Sequence, residues 1–159
     1  MRRTTFAVIA LSQLALACSG SGGSASCVEL REAEDPQSGL HVLSAEGVVY
    51  LTDPPTSGPH SSGASPAGVV DAPLAPPVQV RILEGAGAVV QYDIRVSDVD
   101  LAALRQIADD VIVVAPAAAE LSAPVVVTAW TWKLTCDDAN VERIERFAEE
   151  RRVDSPGFD

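Results

Sequence analysis

Seven consecutive residues, Pro54-Pro55-Thr56-Ser57-Gly58-Pro59-His60, contain three prolines, a glycine and one of the two histidines in the chain. An imidazole changes charge near neutral pH and can serve as a base or a metal ligand. Each proline holds its own φ at about −65° and biases the preceding residue towards extended backbone. Gly58 adds one permissive corner. The segment therefore predicts a stiff, non-helical candidate binding loop that presents His60 in a defined direction. The competing reading is a structural turn that His60 closes by hydrogen-bonding to nearby backbone.

Other chemistries find little support. Ser57 lies in no strand–turn–helix elbow, and there is no Gly-x-Ser-x-Gly motif. The chain has no Cys-x-x-Cys and no phosphate loop. No catalytic residue can be named.

The surrounding pattern predicts the elements that must hold this loop. A turn is expected over Asp35–Gly39, with short extended pieces around His41–Leu43 and Val48–Leu51. Residues 61–77, rich in Ser, Gly, Ala and Pro, read as an irregular surface excursion. Val78, Val80 and Ile82 alternate with polar residues, as do Val90, Tyr92, Ile94 and Val96, which predicts two strands paired in a hairpin across Glu84–Gly87. Ser97-Asp98-Val99-Asp100 resembles a capping box with Asp in the Glu place, and Leu101, Leu104 and Ala108 give the helix behind it one apolar face. Val111–Ala115 reads as a buried strand stopped by Pro116. Val126, Thr128, Trp130, Trp132, Leu134 and Cys136 share one face of a single long strand. A final helix starts near Asp138, buries Val141, Ile144 and Ala148, and carries a Glu142–Arg146 pair. The expected fold is α+β: a mostly antiparallel sheet with about two helices on one face, behind an irregular N-terminal third.

The N-terminus predicts export. Arg2 and Arg3 precede an apolar run, Phe6 to Ala17, of signal-peptide length. The run ends Leu14-Ala15-Leu16-Ala17-Cys18, which resembles a bacterial lipobox. Residues 1–17 are then a lipoprotein signal peptide, Cys18 the lipidated residue, 18–26 a Gly/Ser tether and 27–159 a single domain. Ser19 after the cysteine favours the outer membrane in a cell that has two. With Cys18 lipidated, Cys27 and Cys136 are left to pair as a disulfide in an oxidising compartment. A net charge of −11 argues against nucleic acid as a partner and leaves the lipid anchor as the membrane contact.

Pro54–His60, Gly68-Val69-Val70, Leu83-Glu84 before a Gly/Ala turn, and Thr128-Ala129-Trp130 followed by Cys136 together resemble the bacterial family called domain of unknown function 3105. The resemblance spans roughly residues 39–152. It implies an exported or membrane-anchored protein and assigns no activity. In that family the segment matching Arg81–Gly85 typically reads His-Ser-Leu-Glu-His, so Arg81 and Gly85 stand where histidines would be. The resemblance implies a zinc or copper site of imidazole and carboxylate, of which this chain retains His60 and Glu84, with His41 as an extra donor. Arg81 would add positive charge beside any cation, which implies weak metal binding or none.

Three readings follow. The first is a lipid-anchored, non-catalytic binding or structural module of the cell envelope, with no cofactor and with an envelope protein as partner. The second is a zinc- or copper-binding protein using His60, Glu84 and His41. The third is an enzyme whose residues the sequence does not name. The meeting of His60 and Glu84 in space separates the second from the others.

Overall fold

A computed structural model describes residues 27–158. The expected signal peptide, the lipidated Cys18 and the tether lie outside them. Five strands form the main sheet: β1 (Cys27–Arg31), β4 (Ala88–Tyr92), β5 (Ile112–Pro116), β6 (Val125–Ala129) and β7 (Trp132–Cys136). Their spatial order is β1-β7-β6-β4-β5. All neighbours are antiparallel except β4 and β5, which run parallel. A parallel pair needs a crossover, and α2 (Asp98–Gln106) supplies it. Two further short strands, β2 (His41–Val42) and β3 (His60–Ser61), pair parallel with each other. The remaining helices are α1 (Pro76–Glu84) and α3 (Val141–Arg151). The architecture is the expected α+β. Among the described residues, no helix is long and apolar enough to cross a membrane.

The sheet is apolar on both faces. On one, Leu104 of α2 and Ile144, Phe147 and Ala148 of α3 pack against Val90, Val114, Val125, Val127, Leu134 and Cys136. On the other, Val80, Ile82 and Leu83 of α1 join Leu74, Val89, Val113, Ala115 and Trp130. Val80 and Leu83 are fully buried, and each contributes about 1.5–3 kcal/mol of apolar burial. The disulfide forms as expected: Cys27 and Cys136 are directly opposed in the β1–β7 ladder, with Cα atoms 4.2 Å apart.

Four expectations are corrected. Residues 78–82 form no strand: they lie in α1, so the expected hairpin with β4 does not exist. Pro76 and Pro77 occupy the first turn, where a missing N–H is harmless, and a short Val-x-Val-x-Ile run fits a buried helix face as well as a strand.

The strand through Val90 stops at Tyr92, because the Asp93 carboxylate accepts from the Arg95 backbone N–H at 2.9 Å and turns the chain. Ile94, expected on its apolar face, is fully exposed.

The long strand is two strands. Ala129 opposes Trp132 across a tight turn of Trp130 and Thr131, with Thr131 at φ 59°. A threonine in a left-handed turn gives none of the usual Asn-Gly hairpin signal. Trp130 therefore packs on the α1 side, while Trp132 flanks the opposite core.

The N-terminal third also differs. Cys27–Arg31 forms the edge strand β1, whereas residues 48–51 form no strand.

Candidate metal centre

Every residue from Pro54 to His60 is buried. The segment is an internal scaffold, and polar ties from distant elements hold it. Thr56 accepts the Thr131 N–H on its carbonyl at 2.9 Å, and its hydroxyl donates to Glu32 at 3.2 Å. Ser57 Oγ accepts the Asp35 N–H at 2.9 Å. Lys133 Nζ lies 3.0 Å from Glu32 and donates to the Asp53 carbonyl at 3.3 Å. Tyr50 donates its hydroxyl to the Pro59 carbonyl at 2.7 Å. Burial, with the Asp35 charge behind it, pushes the Tyr50 phenol up to about 12, so it stays a neutral donor at ordinary pH. Gly58 sits at φ 128°, and a Cβ there would come within 2.9 Å of the Tyr50 ring. Only glycine meets both conditions at low cost.

This scaffold delivers His60 into β3, where it pairs directly with His41 of β2. The His60 N–H donates to the Leu40 carbonyl at 2.9 Å. Opposed residues in a ladder put their side chains on the same side of the ribbon, and the two imidazoles meet edge to face with centroids 4.7 Å apart. His60 is fully buried and His41 is exposed.

Glu84 arrives from the last turn of α1. The C-terminal segment holds that turn: Gly157 N–H donates to the Glu84 carbonyl at 2.9 Å, and Ser155 Oγ lies 2.6 Å from the same carbonyl and 2.9 Å from that of Leu83. Ser155 Oγ also accepts the Ala86 N–H at 3.0 Å. A Cβ on Gly157 would fall 2.5 Å from the Glu84 carbonyl oxygen, so this contact requires glycine. Sequence reasoning missed Ser155 and Gly157, which lie some seventy residues beyond the helix they cap and carry no motif.

One donor atom from each of His41, His60 and Glu84 lies within 4.8 Å of the others. His60 Nε2 lies 3.0 Å from Glu84 Oε2. That distance would suit a hydrogen bond, yet among the described residues Nε2 has no partner of acceptable angle and stays buried and unsatisfied. The angular result describes the contact better than the distance alone, since direction decides whether a proton lies between the atoms. The other ring nitrogen, Nδ1, lies 3.2 Å from the Gly58 carbonyl. In the tautomer that donates its Nδ1 proton to that carbonyl, Nε2 is a lone pair facing a carboxylate. This is how metal-ligating histidines are arranged, one nitrogen tied to backbone and the other free. Two donors, each about 2.0–2.2 Å from a zinc ion, sit roughly 3.0–3.5 Å apart. Arg81, one helical turn before Glu84, also reaches this carboxylate, with Nη1 2.6 Å from Oε2. Its Nε donates to the Gly63 carbonyl at 3.3 Å.

A cavity of about 490 Å³ lies elsewhere, at the C-terminal ends of β4 and β5. Its buried Asp93 is held down at about 2, chiefly by the Arg95 guanidinium. Arg95 donates onward to the Leu121 carbonyl at 2.6 Å, and Asp93 accepts the Leu121 N–H at 3.1 Å. This pair ties a loop.

Fold and site together define a small α+β domain with a histidine–carboxylate cluster held against one face of its sheet. The family model described as "Protein of unknown function (DUF3105)" matches residues 41–157, and the chain belongs to that family. No curated protein and no solved structure matches it.

Proposed function

We propose that this chain is an exported, lipid-anchored protein of the cell envelope whose domain binds a divalent transition metal, zinc or copper, through His41, His60 and Glu84. The observation that carries the reading is the buried Nε2 of His60, without a hydrogen-bond partner among the described residues, 3.0 Å from Glu84 and beside the His41 ring. Leaving such an atom unsatisfied costs about 1–3 kcal/mol, a penalty that a bound metal would remove. Imidazole and carboxylate donors suit zinc or copper better than calcium or magnesium. Export accounts for an oxidised Cys27–Cys136 pair, and lipidation at Cys18 would place the domain a short tether from a membrane.

A second reading has its own observation. The 2.6 Å contact from Arg81 already neutralises Glu84, so the cluster would work as an ion-paired clasp in a non-catalytic module that docks on an envelope protein.

Elemental mass spectrometry of the exported protein, followed by zinc and copper titration, separates the two. The metal reading expects near-stoichiometric metal that is lost in His60→Ala and weakened at least tenfold in His41→Ala, whose exposed site leaves folding intact. Wild-type affinity weaker than about 1 µM, about −8 kcal/mol, would sink it and leave the clasp.

A further inference from the structure

Arg81 reaches the cluster through Glu84, with Nη1 2.6 Å from Oε2. Its side chain is about one-third exposed. Of its five N–H donors, one meets Glu84 and one meets Gly63. The remaining edge of the guanidinium is unoccupied by any hydrogen bond of the described residues.

Charge decides what this edge can do once the metal proposed above is bound, and the inference rests on that reading. Two neutral imidazoles and one carboxylate bring a single negative charge to a divalent ion. Arg81 adds another positive charge. The ligand set with Arg81 is then left with two uncompensated positive charges, in a protein whose net charge is −11. Three protein ligands also leave a tetrahedral ion with one open position. A water molecule would fill that position without relieving the charge. An anion would do both, and a planar guanidinium is built to hold two oxygens of a carboxylate or phosphate at once.

We infer that the site takes a small oxyanion as co-ligand, one oxygen on the metal and another on Arg81. The cluster then acts as a ternary receptor, in which metal and anion each raise the affinity for the other by the same factor. Arg81 makes the difference between a bare metal site and an anion-selective one.

The experiment uses the exported, disulfide-bonded protein loaded with cupric ion, whose visible and electron paramagnetic resonance spectra report the ligands. Copper stoichiometry is measured first, then inorganic phosphate and acetate are titrated separately. The inference expects a saturable spectral change with at least one of them. In Arg81→Met that response should weaken at least tenfold, with copper stoichiometry unchanged. Arg81→Lys, which keeps the charge but not the fork, should fall between the two and controls for folding. Full copper occupancy with spectra that neither anion moves would overturn the inference while leaving the metal reading intact. So would an Arg81→Met protein that binds anion as the wild type does. Failure of the wild type to bind copper at all would overturn both.

Discussion

Gly58 and Tyr50 aim His60. With Gly58 at φ 128° and the Tyr50 ring 2.9 Å from where a Cβ would stand, an alanine there meets backbone strain and a clash together. Gly58→Ala is expected to lower stability by about 2–3 kcal/mol, read as a shifted urea midpoint with unchanged slope. It should also weaken metal binding, because the Gly58 carbonyl that holds His60 Nδ1 moves with the turn. A variant as stable as the wild type would show that the ring swings away and the loop carries no strain. His60 was legible as a candidate because proline chemistry is local. The burial of the segment was not, since nothing in Pro54–His60 says that Glu32 and Thr131 will hold Thr56 from distant elements.

At the scale of elements, α1 matters most. As a strand, residues 78–84 would have pointed Arg81 and Glu84 to opposite faces. As a helix they lie one turn apart and share the carboxylate contact. Position 85 then falls on the same side, four residues after Arg81. Gly85 has a negative φ of −79°, and a Cβ there would make only ordinary contacts at 3.6 Å with the Arg81 and Ile82 carbonyls. A Cβ is therefore accommodated at position 85, and position 81 already carries a side chain that reaches Glu84. Arg81→His with Gly85→His is expected to raise zinc affinity at least tenfold by calorimetry, by adding ligands and removing the competing cation. No gain would mean that the end of α1 does not face the cluster in solution. The helix was misread because Val78, Val80 and Ile82 alternate at period two within one short element, whereas α2, of the same length, was marked by its Ser97 cap and α3 by Ile144 and Ala148 four residues apart.

For the molecule as a whole, the disulfide and the edge strand determine how firmly the site is built. β1 is an edge strand, and Cys27–Cys136 pins its first residue. Glu32, directly after β1, is the carboxylate to which both Lys133 and Thr56 attach. Replacing both cysteines by serine is expected to lower stability by roughly 2–4 kcal/mol in urea. It should also loosen the proline segment, seen as faster amide exchange at His60 and Thr131. Exchange that quickens only within β1 would show that the loop is held independently of the bridge.

By itself the sequence determined the class of fold, the pairing of Cys27 with Cys136, the helices after Ser97 and Asp138, and the proline segment with its histidine. These readings are local or arithmetical: apolar spacing, a capping residue, ring-fixed φ and, of three cysteines, the two that remain once the proposed lipidation of Cys18 is set aside. Only the tertiary structure decided that His41 stands opposite His60, that Glu84 reaches them from a helix, and that Ser155 and Gly157 hold that helix end. β2 and β3 are two residues each, too short to show a period. The caps on α1 come from across the chain. Local spacing cannot encode which distant segments meet, and this site is made almost wholly of such meetings.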